Sequence, residues 1–347
     1  MTPCLHVLAP GLLTTIQDRG RVGYQHLGVP VSGALDPVSL RAANLLVGNP
    51  PDAGALEVAC IGPTLAVEAD DVRMAVVGAT VAIEVLPDAA APGGRPVSGM
   101  QSLNLRRGEV LRIGALTGAT VLYVAVEGGF DIEPVLGSVS TDIRCGIGGW
   151  QGRALVAGDR LPLRQERATK RDEVCLDGFI VRPRPRVRVI KGPQFDHFAD
   201  GEVAAFLDSK YTVGPSADRM GMRLTGRTLR HSRGSDIVSD GIAPGSIQVP
   251  GSGQPIVLLA DRQTTGGYPK IATVISADLP ALARLPVGAT VSFEAVTVEA
   301  AEAARREYVA GLAAMKDRIA PVRRTVVDIV PRLHECNLVS GFIDAAA

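Results

Sequence analysis

The chain has 347 residues, enough for two domains that each bury a core of their own. Hydrophobic residues make up 46% and charged residues 21%, the proportions of a globular protein, and 36 basic residues balance 36 acidic ones. A formal net charge of zero gives no field to attract a phosphate backbone or an anionic bilayer, which argues against nucleic acid and membrane partners.

The N-terminal MTPCLHVLAPGLLTT lacks a basic run and is broken by prolines, so it does not read as a signal peptide. Apolar runs such as VLYVAV are too short to span a bilayer. Cys4, Cys60, Cys145, Cys175 and Cys336 are scattered without a CxxC pair, and are expected to be small core hydrophobes of a protein kept in a reducing cytoplasm. The stretch 14–36, TTIQDRGRVGYQHLGVPVSGALD, sets Gln17, Asp18, Arg19, Arg21 and Ser32 among four glycines. It leads into a helix, DPVSLRAANLLVGN, with Asp36 as N-cap, Pro37 at the first helical position and Gly48 as the stop.

Short Val-rich segments follow: LEVACI, TLAVEA, RMAVVGA, VAIEVL, EVLRIG and TVLYVAVEGG. Their length and the Gly/Pro punctuation between them predict strands of a sandwich or barrel. GIGGWQG at 146–152 lacks the dinucleotide spacing and opens no helix. RPRPR favours an extended linker, which puts a domain boundary near residue 182. The strand pattern then resumes in RVRVIKG, SIQVP, PIVLLAD, IATVIS and ATVSFEAV.

Two polar stretches interrupt this second half. GPSADRMGMRLTG carries Asp218 and Arg219, and an isolated Asp–Arg pair is ordinarily a solvated one. Residues 239–269 concentrate Ser239, Asp240, Gln248, Asp261, Arg262, Gln263, Thr264, Thr265 and Tyr268, more hydrogen-bonding capacity than a turn needs. Gln248 and Asp261 both end apolar strand patterns, so a hairpin is expected to bring them to one rim. The run Thr264-Thr265-Gly266-Gly267 offers amide N–H groups and hydroxyls to a carboxylate, carbamate or oxyanion. Asp261 supplies a base and Arg262 a permanent cation. That kit suits polarising a small amide or ureido group. The last periodic segment, VEAAEAARREYVAGLAAMKDR, is a helix opening the tail, and its Lys316 reads as a solvated helix lysine.

No GxxxxGK[ST], no GxSxG and no histidine pair at metal-ligand spacing occurs, so a P-loop, a nucleophile elbow and a metal centre are not expected. The segments TTIQDRGRVGYQHLGVPVSGALD, ANLLVGNPPDAGALE, GPQFDHF, ADRMGMRLTG, IQVPGSGQPIVLLADRQTTGGYP and VGATVSFE together resemble the KipA family. The same family is called allophanate hydrolase subunit 2, the biotin-dependent carboxyltransferase family or the 5-oxoprolinase C component. The likeness runs from about residue 5 to about residue 297.

It implies a mainly β fold of two cyclophilin-like β-barrel domains, residues 1–182 and 183–298, with a few short helices and a helical C-terminal tail at 299–347. It also implies a cytoplasmic, heteromeric 5-oxoprolinase that opens 5-oxo-L-proline to L-glutamate together with a KipI-like B component and an A component. ATP is then a co-substrate of the complex, not bound by this chain alone. The resemblance leaves two alternatives: a carboxyltransferase component acting on urea or a related small amide with biotin as carboxyl donor, and a KipA-type regulator that binds a KipI-like kinase inhibitor. Under the 5-oxoprolinase reading Asp261, Thr264 and Thr265 are the expected catalytic residues. Gln17, Arg19, Ser32, Arg219, Gln248, Gln263, Gly266, Gly267 and Tyr268 are expected to bind substrate, with Arg19 and Arg219 on its carboxylate or a phosphorylated intermediate.

Overall fold

The most apolar strand pattern, Val121–Val126, is buried at every position, which requires cover on both faces. A computed structural model, describing residues 2–178, 181 and 184–322, shows what supplies it. On one face Leu122, Val124 and Val126 join a core with Leu56, Val58, Met74 and Val76 and with residues of a facing sheet. On the other, Val121, Tyr123 and Ala125 meet the apolar stripe of the helix Pro37–Val47. That helix begins where expected: Asp36 accepts N–H bonds from Val38 and Ser39, and Gly48 ends it in the left-handed conformation.

The class is mainly β. The first unit wraps two sheets round one core. One has six strands in the order Arg160–Pro162, Cys4–Ala9, Thr64–Val67, Val110–Ile113, Ile83–Leu86, Arg95–Val97. The other has five, in the order Leu13–Gln17, Ala55–Ala59, Val121–Val126, Asp71–Val77, Ser102–Arg106. The second unit is a closed seven-stranded barrel, Val187–Lys191, Lys270–Val274, Ser246–Gln248, Ile256–Leu258, Gly221–Thr225, Lys210–Val213, Thr290–Ala295. A parallel pairing of its first and last strands closes it, and Phe206, Tyr211 and Phe293 stack at its core.

The tail returns to the first unit. The helix Val298–Ala314 places Tyr308 and Leu312 against the cluster around the helix Pro37–Val47, and Met315 and Ile319 extend that contact. Ile319–Pro321 then pairs with Val174–Leu176, while Lys316 is exposed beside the buried Met315. The boundary expected at 182, and Cys336 with the tail beyond 322, lie outside the described residues. The cysteine expectation needs correction: Cys4 is buried, but Cys60 and Cys145 are exposed on irregular backbone. No helix among the described residues is long and apolar enough to cross a membrane.

Two arginines of the second unit fasten it to the first. Arg219 donates to both oxygens of Asp261, at 2.8 and 2.9 Å, to the Glu57 carboxylate, and at 2.7 Å to the carbonyl of Gly33. Glu57 also accepts from the Leu35 amide at 2.9 Å and the Tyr123 hydroxyl at 2.5 Å. Burial disfavours the charged guanidinium, yet Glu57 and Asp261 outweigh it and hold the Arg219 pKa above its ordinary value. Tyr123 is pushed well up, first by burial and then by Glu57 and Asp36, so its hydroxyl stays a donor. Arg284 makes the second link, to Asp36 at 3.2 Å and to the carbonyl of Gly78. Burial raises the Asp36 carboxyl against the opposing pull of Arg284.

Removing Arg219 leaves Glu57 and Asp261 as buried, uncompensated acids. Arg219→Met should cost roughly 3–5 kcal/mol in urea unfolding, and adding Glu57→Gln should recover part of that loss. A cost below about 1 kcal/mol would show that the units do not depend on this contact.

Candidate functional site

Antiparallel register decides which polar residues share an end of the barrel. Gln248 lies opposite Ile256, next to the turn joining the two strands, whereas Asp261 follows the far end of the second strand. The hairpin therefore separates Gln248 from Asp261 and does not gather them on one rim. Residues 261–269 run back along the barrel, Thr265–Gly266 pairing with Asp240–Gly241, and deliver the chain to Lys270. Lys270 is the cross-strand partner of Gln248.

At this rim, polar groups outnumber their partners. Lys270 is 1% exposed, and its Nζ donates to Asp240 at 2.7 Å and to the Gly241 carbonyl at 3.3 Å. Gln194 steadies the pair: its Nε2 donates to Asp240 at 3.1 Å and its Oε1 accepts from the Lys270 amide. Lys270, then Gln194, hold the Asp240 carboxyl below its ordinary value. Buried Gln248 Nε2 and Gln263 Oε1 have no partner. The two side-chain amides meet over Gly266, where a Cβ would come 2.7 Å from Gln248 Nε2 and 3.3 Å from Gln263 Nε2. An unmatched donor and an unmatched acceptor beside a buried ammonium complement a planar N–C=O group.

The Thr264–Gly267 run is not an open nest of amides. Thr265 and Gly266 sit in the short ladder with Asp240–Gly241, and neither Gly266 nor Gly267 has positive φ. The Thr264 carbonyl accepts from Ile242 at 3.0 Å and that of Gly267 from Ile237 at 2.8 Å. Tyr268 stands 41% exposed at the edge.

Of the other expected site residues, Asp261 and Arg219 lie in the seam between the units. Asp261 and Arg219 are spent on each other and on Glu57. Arg262 is buried, donates to the carbonyls of Ile242 and Leu259, and has its pKa pushed down by burial. Gln17 and Ser32 are buried in the first unit and Arg19 is exposed there, so none of the three joins the Gln248 rim. Sequence reasoning missed Lys270 and Gln194. The available signal was a lysine opening the otherwise apolar KIATV strand, where a solvated lysine is out of place.

Two clefts of about 480 and 470 Å³ lie on the first unit, lined in part by Asp70, Arg73 and Arg171, and by Asn49, Glu127 and Gln165. Their buried polar groups are matched within the protein: Arg73 pairs with Glu127 and Glu173, and Asn49 bonds Asn44 and Val126. The unmatched rim is the better candidate for a polar ligand.

Comparison with known proteins agrees on the kind of module. The family model described as carboxyltransferase domain, subdomain A and B, matches residues 27–295. The C component of the Escherichia coli (strain K12) 5-oxoprolinase is 39% identical over 305 residues, covering 87% of this chain and 94% of the relative. The urea amidolyase of Saccharomyces cerevisiae is 32% identical over 317 residues, covering 85% of this chain and 17% of that much longer protein. Among solved structures, the Kluyveromyces lactis urea carboxylase superposes with a TM-score of 0.80 at 26% identity, covering 94% of this chain and 31% of the larger one.

Because Lys270 depresses the Asp240 carboxyl, their pairing stabilises the rim above the ordinary Asp pKa of 3.8 and is lost as pH falls through the lower folded value. In Lys270→Met, a carboxyl-detected NMR titration should find Asp240 moved up toward 3.8. An unchanged Asp240 titration would remove Lys270 as its partner.

Proposed function

The chain belongs to the carboxyltransferase subdomain A and B family, and from that premise we propose that it is the C component of a heteromeric, ATP-dependent 5-oxoprolinase. Its substrate would be the lactam of 5-oxo-L-proline, and its site the rim of the second barrel. The observation carrying this reading is the unmatched pair, Gln248 Nε2 and Gln263 Oε1, beside the buried Lys270 ammonium. A lactam presents a carbonyl oxygen to the donor and an N–H to the acceptor.

Ring opening adds water to the carbonyl carbon, breaks the C–N bond and returns a proton to the departing nitrogen. In the tetrahedral stage the carbonyl oxygen becomes an oxyanion, and Lys270 Nζ is the cation placed to oppose that charge. Asp240 and Gln194 fix the direction of the ammonium. The acid–base role expected of Asp261 does not suit its bidentate fork with Arg219, so we reassign it to positioning the seam. Thr264 and Thr265 become wall residues of the loop, while a side chain in place of Gly266 would displace the Gln248 amide.

Gly241, Gly266 and Gly267 at the rim lack the left-handed backbone of the alternating kind that points successive amides at a phosphate. ATP is therefore assigned to the partner chains of the complex. The kinship with urea amidolyase supports a second reading, carboxyl transfer to a small amide. Biotin's ureido ring carries the same N–C=O pattern that Gln248 and Gln263 complement.

Co-purification with the cognate partner chains and an assay of ATP-dependent glutamate release separates these readings. The assembled complex should turn over 5-oxoproline, and Lys270→Met or Gln248→Ala should lower kcat by about 10²–10³ without dissociating it. Full turnover in Lys270→Met would overturn the site. Inactivity on the lactam with carboxylation of urea in the presence of a biotin carboxylase would favour the second reading.

A further inference from the structure

The rim answers the N–C=O group of a lactam, but 5-oxoproline also carries an α-carboxylate, and the cations expected to hold it lie elsewhere. Arg219 is spent in the seam and Arg19 is exposed on the first unit. Near the rim, most cations are already answered. Lys270 pairs with Asp240 at 2.7 Å, Arg233 with Asp196 at 2.7 Å and Arg230 with Glu202 at 3.1 Å. Arg262 is buried on two carbonyls. Lys191 is exposed, and among the described residues it forms no ion pair.

Strand register brings Lys191 to the site. It ends the strand Val187–Lys191 opposite Ala272, which makes Lys270 its diagonal neighbour, about 7–8 Å away in an antiparallel pair. The chain that follows stays laced to the same strand. The Gly192 amide donates to the Ile271 carbonyl at 2.9 Å and the Gln194 amide to the Lys270 carbonyl at 3.4 Å. A Cβ on Gly192 would stand 2.1 Å from that Lys270 oxygen, so the two backbones touch. Gln194 then reaches Asp240 through its side chain. Phe195 follows, 42% exposed, with Lys191 Nζ over its ring at 5.1 Å from the centroid. That contact steadies the ammonium and leaves it open to a second partner. Residues 191–195 thus form one flank of the rim, with Lys191 as its unanswered charge.

We propose that Lys191, carried on Phe195, is a specificity-determining residue that takes the α-carboxylate of the substrate and makes the rim selective for anionic cyclic amides over neutral ones. This rests on the lactam reading of the rim. A compact ammonium on a flexible stem suits a carboxylate presented at the mouth of a site. The exposed face of Phe195 gives the ring methylenes an apolar wall. Urea has neither an anionic group for Lys191 nor methylenes for Phe195, so the same flank favours the lactam over it.

The assembled complex tests this by ATP-dependent opening of 5-oxoproline and of 2-pyrrolidinone, the same ring without the carboxylate. The wild type should prefer 5-oxoproline. Lys191→Met should cut that preference about tenfold, mainly by raising KM for 5-oxoproline, and Lys191→Arg should recover most of it. Lys270→Met tells the failure of one reading from the failure of the other. Wild-type turnover of 5-oxoproline in Lys270→Met would remove the lactam from the rim and Lys191 with it. An impaired Lys270→Met beside a Lys191→Met that keeps the full preference would overturn the carboxylate role alone. So would an equal loss on both lactams in Lys191→Met, or a wild type that does not distinguish them.

Discussion

The guanidinium of Arg219 is the contact on which the arrangement of the two units depends. It lies in the second unit but satisfies an acid from each, Glu57 from the first and Asp261 from its own, and takes the carbonyl of Gly33 as well. Through Glu57 it reaches Leu35 and Tyr123, and Tyr123 accepts the amide of Asp36, the residue that starts the helix covering the five-stranded sheet. The joint and the helix cap are thus one hydrogen-bonded network, closed by the pairing of Arg284 with Asp36. Charges buried this deeply are tolerable only when matched. That requirement commits Asp261 and Arg219 to architecture.

The remaining polar side chains of the loop then acquire a different meaning. A closed barrel has two ends, and the seam occupies the one where Asp261 lies. The other end collects Gln248, Gln263, Lys270, Asp240 and Gln194, brought from separate segments of chain by strand register and by the return path of residues 261–269. The polar groups of Arg219, Glu57 and Asp261 at the seam are matched, whereas the rim keeps Gln248 Nε2 and Gln263 Oε1 unmatched beside its paired Lys270 and Asp240, and this contrast separates seam from rim more sharply than cleft size does.

Much of the fold is legible in the sequence because its signals are local. Asp36, Pro37 and Gly48 specify a helix by capping chemistry within a dozen residues, and the Val-rich segments carry their strand character in composition. The site is legible only in part. The loop ADRQTTGGYP stands out by its density of polar groups, but which of its residues meet depends on antiparallel register, a non-local quantity. Asp261 and Gln248 therefore look like neighbours in the sequence and belong to opposite ends of the barrel. Lys270 leaves only the weak signal of one charge opening an apolar strand, which becomes decisive once its burial is known. GIGGWQG, which has no dinucleotide spacing, instead supplies Gly148, whose missing side chain lets its loop pack closely against Arg21.

The central claim is that the lactam sits on the rim carrying Lys270. A crystal structure of the assembled complex with 5-oxoproline bound tests it most directly. The account predicts the lactam carbonyl within about 3 Å of Lys270 Nζ or Gln248 Nε2, with the ring N–H facing Gln263 Oε1. A lactam lodged against Asp261 and Arg219, or held entirely by another chain of the complex, would contradict it.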